Sequence, residues 1–135
     1  MIFLDYLQLA KAKDAKSRER EVAEISLLCK NAARSLNIPV VALAQLNRLV
    51  EREKRKPVLS DLRDSGAIEQ DADVVMFLHK DPEEEGTVTL VVAKGRNLGT
   101  GEFKVTFDPE LMTFRDYSER RDGSAEGEKP FVFSR

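Results

Sequence analysis

Residues 38–46 read IPVVALAQL. The run is apolar up to Gln45 and shows no polar face. A strand of that composition is expected to be covered on both sides, as in a parallel sheet flanked by helices. The residues before it fit that reading. From about Ser17 to Leu36, the apolar residues Val22, Ile25, Cys29, Ala32, Ala33 and Leu36 recur at spacings of three and four. That pattern makes one apolar face on a helix roughly 30 Å long. Arg18, Glu19, Arg20, Glu21 and Glu24 fall on its wet side. Asn37 suits the left-handed position after the last turn, and Pro39 prevents continuation. Further upstream, residues 2–9, IFLDYLQL, read as a buried strand ending near Leu9. A strand, a crossover helix and a second strand give a parallel pair.

Downstream the pattern changes. Residues 47–58 are charged, carry Pro57 and read as a mobile loop. SDLRDSGAIEQDAD, residues 60–73, is short, polar and capped, a turn leading into a strand. DVVMFLHK is that strand, and DPEEEG is an acidic turn. TVTLVVAK and EFKVTF are two strands joined by the hairpin loop GRNLGTG. LMTFRDY is a last short strand. The expected fold class is α/β: a mixed sheet with parallel core strands followed by antiparallel hairpins. After Tyr117 the composition turns to charge, glycine and serine, as in a frayed tail, although PFVFSR at the end is apolar enough to dock.

A chain of 135 residues is long enough to form one domain of ordinary size. The net charge of −2 excludes a cationic blanket, so nucleic-acid contact would rest on a few placed groups and backbone amides. Cys29 is the single cysteine, so no internal disulfide forms, in keeping with a reducing compartment. No apolar run approaches the ~20 residues of a membrane span. The start lacks a basic n-region and a cleavage site and does not read as a signal peptide. A beginning inside a strand is expected of a chain whose upstream part has been cut away.

Three places carry candidate chemistry. Asp5 follows three apolar residues and is expected deep in the first strand, near its carboxyl end. A buried carboxylate there is costly unless paired or near a metal, and the position faces the crevice where α/β sheets bind ligands. The pattern hhhD is also the Walker B signature of nucleotide hydrolases, in which the aspartate holds Mg²⁺ through water. Gln45 ends the apolar run at a strand edge. A neutral amide there can hydrogen-bond a γ-phosphate oxygen or orient the attacking water; the alternative is a strand-end glutamine bonded to backbone. Third, Arg63 is followed closely by Asp64, Ser65 and Gly66. Glycine permits close approach to a phosphate, and the alternative is a turn capped by Ser65. Lys94 and Arg96, one residue apart at the rim of the hairpin, read singly as a solvated turn.

Together, FLDYLQL, IPVVALAQLNR, LSDLRDSGAIEQDADVVMFL and VAKGRNLGTGEFKVTFDP resemble, in order and spacing, the C-terminal half of the RecA-like motor domain of the DnaB family of replicative helicases. The resemblance covers roughly residues 2–116. It implies a partial RecA-like sheet over residues 1–117, followed by the tail at 118–135, and a parent protein that is an ATP-dependent hexameric helicase translocating on single-stranded DNA. It assigns Asp5 to the Walker B aspartate, with magnesium held through water, and Gln45 to the glutamine that senses the γ-phosphate. Arg63, Asp64 and Gly66 fall in the loop gripping DNA phosphates in the central channel. Lys94 and Arg96 match the basic pair donated to the ATP site of the neighbouring subunit. ATP and Mg²⁺ are the implied cofactors. Neighbouring subunits of a homo-hexamer, primase and a helicase loader are the implied partners, in a bacterial or phage-like cytoplasmic setting without a membrane.

Some residues depart from the family pattern. Asp64 stands where glutamate is usual, Gly95 replaces a larger residue and is expected to loosen the aim of the two cations, and His79 replaces an aromatic residue and reads as a packed strand-end residue. No G-x-x-x-x-G-K-[ST] occurs in the sequence. The chain therefore reads as a fragment lacking the phosphate-loop strand, which in RecA-like sheets lies between the strands at 39–45 and 73–79. Those strands must then pair directly, recruit another chain or be complemented. Alternative readings are a non-catalytic binding or assembly module and a RecA-like ATPase relative, such as a recombinase or clock-type protein. The segment around Arg63 argues against the latter.

Overall fold

A computed structural model of the chain describes residues 1–12, 17–62, 66–80 and 84–117. Arg63, Asp64 and Ser65 of the expected DNA loop, part of the acidic turn at 81–83, and the tail from 118 onward lie outside the described residues. The chain divides into two units, Met1–Asp73 and Val74–Arg135.

The first unit is the strand–helix–strand crossover. β1 (Ile2–Leu4) and β2 (Val40–Ala42) pair in parallel, with Ile2 opposite Val40, Phe3 opposite Val41 and Leu4 opposite Ala42. Between them runs α1 (Arg18–Leu36). Its ends follow from local chemistry: the Ser17 hydroxyl accepts from the Arg20 amide at 3.3 Å, and Asn37 closes the helix at φ 50°. Val22 is fully buried, with Ile25 close behind. They pack with Leu7 and Ile68, and Leu4, Ala42, Ala44, Cys29 and Leu62 close around them. The expected helix face is realised except at its end, where Leu36 is exposed.

Four expectations for this unit are corrected. β1 ends at Leu4, and the chain continues through a 3-10 turn at Leu7–Leu9 that buries Leu7. An apolar run cannot distinguish a long strand from a short one followed by a turn that also buries a leucine. Coverage on both faces is not complete either, since Phe3 and Leu43 are exposed while Leu4 and Ala42 turn into the cluster. Residues 47–58, expected as a mobile loop, contain α2 (Leu49–Glu53), started by the Asn47 side chain accepting from the Leu49 amide at 3.1 Å and anchored by buried Val50. The polar segment expected as a turn forms α3 (Gly66–Asp71), because Ile68 enters the core beside α1.

The second unit is an antiparallel meander in the order β3 (Val74–Lys80), β4 (Thr87–Gly95), β5 (Gly101–Asp108) and β6 (Thr113–Asp116). Val75 and Phe77 are buried, whereas Val74, Met76 and Leu78 are exposed, the period of two expected of a one-sided strand. His79 is half-buried in β3 opposite Thr89. Phe107 and Phe114 face each other across β5 and β6, with ring centroids 4.8 Å apart. Among the described residues β2 pairs only with β1, and β3 only with β4.

Candidate nucleotide and DNA site

The parallel register of β1 and β2 brings the residues that follow them to one end of that sheet. Asp5 comes immediately after β1 and Gln45 three residues after β2. The ladder continues past both strands: the Leu43 amide donates to the Leu4 carbonyl at 2.9 Å, and the Leu7 amide to the Leu43 carbonyl at 2.8 Å. Asp5 is exposed, not buried as expected, because the strand stops one residue before it. The cost of burying a carboxylate therefore does not bear on Asp5. Asp5 and Gln45 still share the carboxyl edge, where α/β units take ligands.

Beyond Leu43 the backbone of Gln45 is held by a side chain that sequence reasoning did not single out. Gln8 Nε2 donates to the Gln45 carbonyl at 3.2 Å, and the Gln45 amide donates to Gln8 Oε1 at 3.1 Å. The Gln8 carbonyl accepts from the Arg18 guanidinium, which also pairs with Glu21. The second Glu21 oxygen accepts from the Ala12 amide at 3.1 Å. The Arg18 hydrogen bond, aided by that amide, holds the Glu21 carboxyl below its ordinary range. The signal in the sequence was a polar residue inside an apolar run, three positions after Asp5.

The segment after Gln45 leads to the base of the expected DNA loop. Leu46 bridges to Leu62, and the Asn47 amide donates to the Asp61 carbonyl at 2.9 Å. Asp61 is buried and accepts from Arg55 Nη1 at 2.6 Å, Arg55 Nη2 at 2.8 Å and the Val58 amide at 2.8 Å. The two-pronged Arg55 contact lowers the Asp61 pKa from 3.8 to about 2, with the Val58 amide adding to it, while Asp61 and Glu53 raise that of Arg55. A carboxyl whose pKa is depressed by folding stabilises the fold above its unfolded value and ceases to do so as pH falls through the folded value. Asp61→Ala is expected to lower unfolding free energy by about 1–2 kcal/mol near neutral pH, a charged hydrogen bond discounted for the half-exposed Arg55. The deficit should stay level down to about pH 4 and shrink below it. Denaturant unfolding of both proteins across that range checks this; a deficit independent of pH contradicts it.

Gly66 is the first residue of α3, and none of the described residues stands within 4 Å of where its Cβ would be. Lys94 and Arg96 lie in the second unit. Lys94 is half-buried at the end of β4 opposite Val75, and Arg96 is exposed in the turn that follows. Gly95 between them does not loosen the turn, as the sequence reading expected. A Cβ there would stand 2.2 Å from the Gly99 carbonyl oxygen, and Gly99 itself has φ 73°. The two glycines let the turn fold back on itself, with the Gly99 amide donating to the Gly95 carbonyl at 3.3 Å. Cys29 is half-buried beside the core, and burial raises its thiol pKa, in keeping with a packing role. Among the described residues no group of three or more His, Cys, Asp or Glu side chains could hold a metal, and no helix is long and apolar enough to cross a membrane.

A parallel βαβ unit with a carboxylate and a carboxamide at its carboxyl edge, joined in one chain to an antiparallel meander, places the protein in the α/β class. Similarity to known proteins narrows this class. The family model described as DnaB-like helicase C terminal domain matches residues 1–116, and the chain belongs to that family. It is 42% identical over 130 residues to the replicative DNA helicase DnaB of Pasteurella multocida, covering 90% of this chain and 28% of that protein. Among solved structures, one described as the ATPase domain of a protein superposes with a TM-score of 0.80 at 39% identity, covering 86% of this chain and 44% of that one. A DnaB-like replicative helicase, described with its interactions with primase, superposes at 0.81 and 39% identity, covering 86% of this chain and 30% of that one.

Proposed function

We propose that this chain is the C-terminal part of the motor of a hexameric, ATP-driven replicative helicase that moves along single-stranded DNA and unwinds the duplex at the fork. The observation that carries the reading is the placing of Asp5 and Gln45 at one carboxyl edge, in a chain 42% identical to a DnaB helicase. Asp5 is exposed and able to hold Mg²⁺ through water, and the metal, when bound, neutralises charge on the phosphate oxygens. Gln45 presents a neutral amide toward the terminal phosphate. Lys94 and Arg96 serve the ATP site of the next subunit. Arg63, Asp64 and Gly66 face DNA phosphates, and the Leu46–Leu62 bridge with the Asn47–Asp61 hydrogen bond ties that loop's base to the Gln45 segment. Primase and a helicase loader are partners of the whole protein.

Arg63 tests the DNA half of this reading. A motor that crosses any sequence must grip phosphate and not bases. Arg63→Ala in the full-length helicase is expected to weaken binding to all single strands alike and to flatten the salt dependence, with the melting temperature nearly unchanged. Affinity for poly-dT and for a mixed-sequence strand, measured across a salt series, decides. An unchanged slope, or a loss confined to one sequence, removes Arg63 from the DNA site.

A further inference from the structure

We propose that Gln8 is a positioning residue for the motor's reaction: its carboxamide stands in for the missing rung of the β1–β2 ladder and fixes Gln45 over the edge that carries Asp5. The proposal rests on the reading of Gln45 as the group that senses the terminal phosphate. The paired strands end at Leu4 and Ala42, and two more backbone bonds extend the ladder to Leu43. After Tyr6 the chain has wound into the 3-10 turn at Leu7–Leu9, so no extended segment follows it alongside Gln45. The Gln8 side chain fills that role by accepting from the Gln45 amide at 3.1 Å and donating to its carbonyl at 3.2 Å. Only one orientation of the carboxamide satisfies both partners, so the contact fixes the Gln45 backbone in direction as well as distance.

Gln8 is itself held from both sides. Its neighbour Leu7 is buried in the core, and its carbonyl accepts from Arg18, which Glu21 orients from the first turn of α1. The side chain therefore reaches Gln45 from a fixed base. The residue type is selective: glutamate keeps the acceptor, loses the donor and turns a negative charge toward the Gln45 carbonyl, while asparagine is one methylene short. Displacement of a reacting or sensing group by ~1 Å costs on the order of a hundredfold in rate, so loss of this clamp acts on turnover far more than on the fold.

The test uses the full-length helicase with Gln8→Ala, Gln45→Ala and the double substitution, together with Gln8→Met, which keeps length and packing but removes both hydrogen bonds. Gln8→Ala and Gln8→Met are expected to lower the kcat of DNA-stimulated ATP hydrolysis roughly ten- to a hundredfold, with KM for ATP changed little. In the Gln45→Ala background neither should lower it further, because the group being positioned is gone. Hydrogen exchange in the peptide spanning residues 43–47 should quicken in both Gln8 variants, a readout independent of turnover. Should Gln8→Ala not fold, Gln8→Met decides alone. Equal losses in both backgrounds, or unchanged kcat and exchange with Gln8→Met while Gln45→Ala is impaired, overturn the proposal and leave the role of Gln45 standing. Unchanged kcat in Gln45→Ala itself overturns the reading of Gln45, and this proposal with it.

Discussion

Replacing Arg96 by alanine in the full-length helicase is expected to cut ATP turnover by about 10³-fold or more, the scale of an arginine finger. Arg96 is exposed in the turn after β4, which is hydrogen-bonded to β3 on one side and β5 on the other. The turn is tight, since Gly95 and Gly99 approach too closely for a Cβ between them. A cation on so short and supported a turn has a defined direction, which a charge meant to meet a developing phosphate charge needs. An ordinary solvated turn would carry Arg96 with no effect on rate. Nucleotide affinity should change much less than turnover, because the guanidinium acts chiefly in the transition state. Steady-state hydrolysis and equilibrium nucleotide binding of Arg96→Ala measure both. A loss below about tenfold assigns Arg96 to the solvated turn.

The second large effect is a complete one. The 135-residue chain by itself is expected to hydrolyse no ATP at a measurable rate. Its sequence contains no G-x-x-x-x-G-K-[ST], so the backbone cradle and lysine that anchor a triphosphate are not supplied. Asp5 and Gln45 can address a metal and a terminal phosphate only when another segment holds the nucleotide. Hydrolysis by the purified chain, stimulated by single-stranded DNA and abolished by Asp5→Ala, would sink this expectation.

Features set by local chemistry were legible in the sequence. Asn37 and Pro39 end α1 through backbone and ring geometry alone, and two apolar runs around the loop GRNLGTG specified the hairpin. Features set by how far a pattern runs were not. IFLDYLQL buries Leu7 whether it is a strand or a strand followed by a turn, so neither the end of β1 nor the exposure of Asp5 could be read. α2 was hidden because Val50 is its one buried side chain among those described, and the Arg55–Asp61 contact that shapes the next turn leaves no periodicity. In the candidate site, Asp5 and Gln45 were legible as polar residues closing apolar runs. Gln8 was not, because its task exists only once the chain has turned after Leu4. Gly95 suggests slackness in the sequence, whereas close approach of the two ends of the turn demands it.

The central claim is that each ATP site is shared, with Asp5 and Gln45 from one subunit and Lys94 and Arg96 from the next. The most direct measurement mixes full-length Asp5→Ala subunits with full-length Arg96→Ala subunits, each nearly inactive alone, and follows ATP turnover. An interface in which an Arg96→Ala subunit supplies Asp5 and an Asp5→Ala subunit supplies Arg96 is complete; random assembly makes about one interface in four of this kind. Activity is expected to reappear on mixing, in proportion to mixed rings. If mixed rings form, as shown by subunit exchange between differently labelled proteins, and turnover stays at the level of the separate variants, the shared site is contradicted.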